Sequence, residues 1–272
     1  MPELPEVETV RRQLHERIAG KTIREVSIFK TGRETPVGSK FVQAIVGRRL
    51  KGVERRAKVL VFRFDDGGVM LGHLKMTGKF VFVTGSRRVT PEKHDRIFFV
   101  FDSKTHLVWS DVRKFGYLKI ATAGETLAAL SHYGPEPLEA KPAELAERLK
   151  RKSSRTIKAA LLDQTVIAGI GNIYADEALF RAGIRPTRKV NKLTDDERLL
   201  LAKHIKKVLA QSLAQKGTSS NDYIDTEGEK GGFQNFLRVY GREGDPCRTC
   251  KNSIKKILTA QRGTHYCVSC QK

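Results

Sequence analysis

No stretch of this 272-residue chain approaches the ~20 consecutive apolar residues of a membrane-spanning helix, which excludes an α-helical membrane protein. Acid is scarce as well. Thirty Asp and Glu stand against 51 Lys and Arg, leaving a formal charge of +21, and with no single-sign tail to hold that excess the folded surface must be basic. Such a field draws polyanions, so nucleic acid or an anionic membrane face leads the list of partners and small neutral substrates recede. Cysteine is nearly absent: the four present all lie in the last 26 residues, which is metal-site placement and not the spread framework of a disulfide-bonded secreted chain. Nor does the start, Met1-Pro2-Glu3-Leu4-Pro5-Glu6, carry the basic then apolar run of a signal peptide, so a cytoplasmic protein is expected. Aromatics are only 7 %, yet with 39 % apolar residues they suffice for a packed core and argue against disorder.

The length suggests about two domains. Val7, Val10, Leu14 and Ile18 recur at helical spacing after Pro5, with Gly20 placed to end the helix. From Thr22 to about Ala121 the pattern turns to short β-rich runs at 23–29, 59–64, 69–74, 80–83, 97–101, 107–109 and 117–120, with Asp65-Asp66-Gly67-Gly68 as a hairpin turn. Many short strands with frequent turns predict a β-sandwich. The proline-punctuated stretch 133–142 reads as a linker. Beyond it, helices are expected around Leu145 and Leu149, around Ile157 to Leu162, from Tyr174 to near Gly183, and from a Thr194/Glu197 capping box to Gly217. Thr218 to Gln234, glycine-rich and aperiodic, reads as a long mobile loop; such loops are uncommon unless functional or disordered.

Cys247-x2-Cys250-x16-Cys267-x2-Cys270 has the spacing of four thiolates around one structural zinc bracketing a hairpin. Arg262 falls near the hairpin tip, where a basic residue suits a phosphate. At the other end of the chain, removal of Met1 would leave Pro2 with a secondary amine. A chain amine has a pKa near 8, so roughly a tenth is neutral at pH 7, and the positive end of the following helix lowers it further. Such an amine attacking a sugar carbon forms an iminium, an electron sink for elimination, with Glu3 and Glu6 near enough for proton transfer. Taken alone, Pro and Glu here are also plain helix-start residues.

Met1 to Thr9 (MPELPEVET) resembles the start of the bacterial formamidopyrimidine-DNA glycosylases. His73 to Gly78 (HLKMTG), Asp111 to Gly116 (DVRKFG), Gly134-Pro135-Glu136-Pro137, Gln164 to Glu177 (QTVIAGIGNIYADE), Val239 to Arg242 and the cysteine module resemble that family's motifs in its order. The resemblance implies an α+β multidomain fold: an N-terminal helix plus β-sandwich over 1–132, a linker over 133–142, a helix–two-turns–helix domain over 143–235 carrying a lesion loop at 218–234, and a zinc finger over 236–272. It implies a base-excision repair enzyme that removes 8-oxoguanine and formamidopyrimidines and cleaves by β,δ-elimination. In that reading Pro2 is the nucleophile at C1′, Glu3 the acid assisting ring opening, and Glu6 a supporting acid. Lys58 and Arg262 complete the catalytic set on the phosphates, with His73, Asn172 and Lys158 as further phosphate contacts. Met76, Arg113 and Phe115 would fill the duplex when the nucleotide is everted. Double-stranded DNA is the implied partner, zinc the one cofactor, and a monomer is expected. The chain departs from the family around Asn221, where many members carry Arg or Lys, so lesion preference stays open. An endonuclease VIII type enzyme acting on oxidised pyrimidines and a non-catalytic DNA-binding protein are the alternatives; Leu4-Pro5 with the Met76, Arg113 and Phe115 set weighs against the first, and intact Pro2, Glu3 and Lys58 against the second.

Overall fold

The computed structural model describes residues 1–29, 39–83, 91–220 and 222–272. Asn221 therefore lies outside the described residues. Contacts divide the chain into two compact units, one of Met1–His132 with Lys216–Gly231, the other of Tyr133–Gln215 with Gly232–Lys272.

The first unit opens with helix α1 (Leu4–Ile18), whose second residue is Pro5 and whose apolar positions Leu4, Val7, Val10, Leu14 and Ile18 are all buried. Two four-stranded antiparallel sheets follow. One has the order β1 (Glu25–Ile28), β6 (Asp95–Val100), β7 (His106–Asp111), β5 (Gly78–Val83); the other β2 (Leu50–Arg56), β3 (Val59–Phe64), β4 (Val69–His73), β8 (Tyr117–Ala121). Phe62, Phe64 and Met70 of the second sheet and Phe80, Phe99 and Trp109 of the first share one core, so the unit is a β-sandwich. The 65–68 turn joins β3 and β4 as expected. Three elements went unread from sequence: α2 (Ser39–Ile45), β2 and α3 (Ala123–Ser131).

Helix α1 lies along β2 in a fixed direction. The Gly20 N–H donates to the Leu50 carbonyl at 2.7 Å, the Val53 N–H reaches His15 Nδ1 at 3.2 Å, and Arg55 Nε donates to Glu8 at 3.0 Å. Low helix numbers thus match high strand numbers. The start of α1 is carried to the end of β2 that turns into β3 through Ala57 and Lys58.

The second unit packs α4 (Pro142–Lys150), α5 (Ile157–Leu162), α6 (Asn172–Arg181) and α7 (Asp195–Ala214) around a core that includes Leu149, Leu161, Tyr174, Leu179, Leu201 and Ile205. Thr194 caps α7 and its partner Glu197 closes the predicted capping box. The hairpin β9 (Ile254–Thr259) and β10 (Arg262–Cys267) completes the unit. Among the described residues no helix is long and apolar enough to cross a membrane.

Candidate active site and DNA-contact residues

Strand pairing gathers most of the first unit's candidates at one end of the sandwich. Val59 pairs with His73, and His73 with Tyr117, while Gly78 pairs with Asp111. The connections 57–58, 74–77 and 112–116 are therefore neighbours, and the direction of α1 brings Pro2 and Glu3 to the same end. Pro2 is buried, and Glu3 is only 2 % exposed. In the full chain the Pro2 nitrogen is an amide; loss of Met1 makes it an amine at the positive end of α1.

Glu6 is engaged on both carboxylate oxygens. Oε2 accepts the Glu3 N–H at 2.8 Å and Oε1 accepts the Thr218 N–H at 2.7 Å. It thus ties the helix start to the 216–231 segment. Gly217 makes that approach possible, since at φ +90° a Cβ there would stand 2.7 Å from Glu6 Oε1. Much of 218–234 is anchored in the same way. Asp225 accepts from Gln13 Nε2 and from the backbone of Glu227 and Glu229, Gln13 Oε1 accepts from Thr226, and the Phe82 N–H donates to the Thr226 carbonyl. Asp225 and Thr226 are fully buried, so a glycine-rich stretch read as mobile is packed at its centre. The Tyr223 hydroxyl stands over the Glu6 carbonyl at 3.5 Å, and burial with the charges of Glu6 and Asp225 raises its pKa.

Lys58 and His73 stand close together at this end of the sandwich, beside the Val59–His73 pairing. Glu8 sets the turn that carries Lys58: it accepts from Arg11, Arg12 and Arg55, and Arg55 in turn donates to the Ala57 carbonyl at 2.7 Å. Burial pushes the Glu8 pKa up, but these three hydrogen bonds outweigh it and hold the group below its ordinary value. Ala57 sits at φ +53°, a left-handed conformation that makes the turn tight. At His73 burial, with the ammonium groups of Lys75 and Lys58 close by, lowers the pKa to about 3. The ring is neutral at pH 7. Its Nδ1 accepts the Lys75 N–H at 2.9 Å, which leaves the proton on Nε2 as an outward donor.

Met76 and Phe115 are large apolar side chains left 40 % and 43 % exposed, and the Arg113 guanidinium lies 5.2 Å over the Phe115 ring. Asp111 builds both loops that carry them. Its buried carboxylate accepts from Thr77 Oγ1 at 2.5 Å, from the Arg113 N–H at 3.1 Å and from the Gly116 N–H at 2.7 Å. In the sequence Asp111 and Thr77 stand inside motifs with no evident task; an acid two residues before Arg113 is the signal for one.

In the second unit Asn172 opens α6, and its Nδ2 donates to the Gly263 carbonyl on β10 at 2.9 Å. Arg262 is exposed on the first residue of β10, beside a two-residue turn in which Ala260 and Gln261 both have positive φ, 52° and 57°. That is the type I′ geometry, held here without glycine. Lys158 is a correction to the expected set of phosphate contacts. It is fully buried, its ammonium 2.5 Å from Asp176 Oδ1 and donating to the Asn172 carbonyl at 3.1 Å. An α5 position at this spacing faces the core and not solvent. Asp176 also accepts the His265 N–H at 2.9 Å, so the pair secures α5, α6 and the hairpin together.

The sulfurs of Cys247, Cys250, Cys267 and Cys270 all lie within 4.8 Å of one another, with pairs at 3.4 Å and 3.9 Å. A tetrahedron with metal–sulfur bonds of about 2.3 Å separates its sulfurs by about 3.8 Å, so the set fits one zinc. The Thr249 N–H points at Cys247 Sγ at 3.4 Å, as in a metal-binding knuckle. With four protein ligands the metal is structural.

A β-sandwich with Pro2 buried at the start of α1, a helical unit and a four-cysteine hairpin define an α+β zinc-finger protein. Residues 1–118 match the model of the formamidopyrimidine-DNA glycosylase N-terminal domain, 133–223 its H2TH domain, and 244–272 the zinc finger found in FPG and IleRS. The formamidopyrimidine-DNA glycosylase of Desulfitobacterium hafniense is 45 % identical over all of both chains. A Lactococcus lactis FPG mutant in complex with Fapy-dG containing DNA superposes with a TM-score of 0.91 at 37 % identity over all of both chains. A MutM complex with carbocyclic 8-oxo-G containing DNA gives 0.90 at the same identity and coverage. The chain belongs to the formamidopyrimidine-DNA glycosylase family.

Proposed function

We propose that this protein excises oxidised purines, 8-oxoguanine and formamidopyrimidines, from double-stranded DNA and then cleaves the strand as an apurinic/apyrimidinic lyase. The observation that carries the reading is the convergence of Pro2 and Glu3, at the positive end of α1, with the Lys58 and His73 pair at one end of the sandwich. Once Met1 is removed, the Pro2 nitrogen attacks C1′ and the base leaves with the bonding electrons. Loss of the N–H proton and opening of the sugar ring give an iminium, with Glu3 protonating the ring oxygen. The iminium acidifies C2′; β-elimination expels the 3′ phosphate and δ-elimination the 5′ phosphate. Hydrolysis of the remaining adduct frees the amine.

Lys58, His73, Asn172 and Arg262 hold backbone phosphates in this reading, and Met76, Arg113 and Phe115 occupy the space of the everted nucleotide. Glu6 acts by holding the 216–231 segment to the helix start. The test is borohydride trapping on a duplex with one 8-oxoguanine opposite cytosine, using Met-processed protein and a Pro2→Gly control. A covalent adduct that is lost or strongly reduced in the control is expected. Adducts on abasic DNA but not on 8-oxoguanine would retain the lyase and overturn the lesion class, and none on either would leave only DNA binding.

A further inference from the structure

A concave pocket of about 780 Å³ opens in the second unit between the end of α6, one face of α7, the 233–236 turn and the base of the zinc module. None of the residues described above as a DNA contact lines it. Helix α6 spans ten residues, so the Phe180–Gly183 end that borders the pocket is about 15 Å from Asn172. Cys270 borders it too, at the end of the hairpin away from Arg262. It is of a size that takes a small ligand.

Its chemistry has two parts. Tyr174, Phe233 and Phe236 form a column of rings, with centroids 6.0 Å apart at each step and the last two stacked at 22°. Phe236 ends the column with half its surface exposed and so offers an open aromatic face. Around it stand Arg181, Lys207, Arg238 and Arg248, and no Asp or Glu lines the pocket. The buried Glu177 carboxylate pairs with the Arg181 guanidinium at 2.5 Å and accepts the Arg238 backbone N–H at 2.9 Å, so Arg181 is neutralised while Lys207, Arg238 and Arg248 supply the pocket's charge. His204 and Lys207 are one turn apart on α7, and His204 Nδ1 is buried without a partner among the described residues. Burial and the charges of Lys207 and Arg181 lower the His204 pKa, so the ring is neutral and able to hydrogen-bond a neutral edge.

We propose that this pocket is a second ligand site that takes a nucleotide, its base stacked on Phe236 and its phosphate held by Lys207, Arg238 and Arg248. An open ring face favours a flat base, and guanidinium groups favour phosphate. The nucleotide can come from solution or from the end of a single strand. The site is independent of the reaction proposed above.

The test uses the zinc-loaded full chain and the fluorescence anisotropy of etheno-adenosine monophosphate, with a labelled five-nucleotide deoxyadenosine strand as a second arm. Saturable binding is expected, weakened about tenfold or more by Phe236→Ala and several-fold by Lys207→Gln. Arg262→Ala, on the DNA-facing edge, is expected to leave it unchanged, and adenosine or inorganic phosphate alone to compete poorly. Stronger binding of the strand than of the mononucleotide, with the same response to the variants, assigns the source as a strand end; equal binding assigns a free nucleotide. Phe236→Ala and Lys207→Gln should still trap on 8-oxoguanine DNA like the parent protein, which separates failure here from failure of the proposed activity. Binding that ignores both pocket variants, absence of saturable binding, or tighter binding of an acidic phenylalanine-containing peptide would overturn the assignment.

Discussion

His73 shows how a single residue type can mislead about charge. In a protein of +21 a histidine beside lysines looks like one more cation for the DNA backbone, yet burial and the neighbouring Lys75 and Lys58 leave it neutral with Nε2–H directed outward. Its phosphate contact is then a neutral hydrogen bond. Each cation that neutralises a phosphate adds about 0.9 to the slope of log K against log salt, and a neutral donor adds nothing. His73→Ala should therefore weaken binding to an abasic-site duplex while leaving the salt slope unchanged. Lys58→Ala and Arg262→Ala should each flatten the slope by about one. Titrations at several salt concentrations check this, and a slope change in His73→Ala equal to that of Lys58→Ala would show the imidazole charged on DNA. The same scale exposes the limit of pattern reading at Lys158. Its charge suggested solvent or phosphate, whereas the acid that neutralises it, Asp176, stands 18 positions away and is brought to it only by the packing of α5 on α6.

Elements were legible where their periodicity was intact. Helices α1 and α7 follow from buried residues at helical spacing and from their start residues, and β3 and β4 from dense apolar runs around an Asp-Gly turn. Strand β2 hid because four of its seven residues are charged and a register shift between Leu50 and Gly52 breaks its alternation. Helix α3 hid because Thr126 alone is buried, leaving no apolar stripe, although its Thr122/Glu125 capping box was there to be read. The 216–231 segment hid for another reason: its anchors are Glu6, Gln13 and Phe82, 144 to 213 positions away along the chain. Two predictions belong to this scale. Gly217→Ala combines a positive φ with a Cβ 2.7 Å from Glu6 Oε1 and should cost about 1–3 kcal/mol. Denaturant unfolding should show that loss shrinking in a Glu6→Ala background, where the clash is gone; equal losses in both backgrounds would reduce the effect to backbone strain. Asp176→Ala removes the carboxylate that the buried Lys158 ammonium pairs with and should cost about 3–5 kcal/mol. The Lys158→Met, Asp176→Leu double variant should recover most of that stability.

At the scale of the whole molecule, the sandwich and the zinc module depend on different forces. The sandwich has a large apolar core with Trp109 fully buried inside it, while the apolar core of the 244–272 module is only Cys247, Ile254 and Cys267, with Val239 packed against them. So small a core cannot hold a hairpin unaided, and the metal supplies the missing stability by binding only the folded arrangement of thiolates. The hairpin also carries Arg262 on a turn with two residues in the left-handed region, a conformation worth about 1–2 kcal/mol per residue against it. Without zinc that turn keeps only the anchors that α6 gives to β10, the Asn172 amide on the Gly263 carbonyl and Asp176 on the His265 N–H. Trp109 is the one tryptophan of the chain, so its fluorescence reports the first unit alone. Chelation of the metal should therefore abolish DNA binding and remove amide protection from residues 254–267, while the tryptophan emission maximum stays where it was. Hydrogen exchange read peptide by peptide beside the emission spectrum checks this, and a red shift of Trp109 on chelation would show that the sandwich depends on the metal as well.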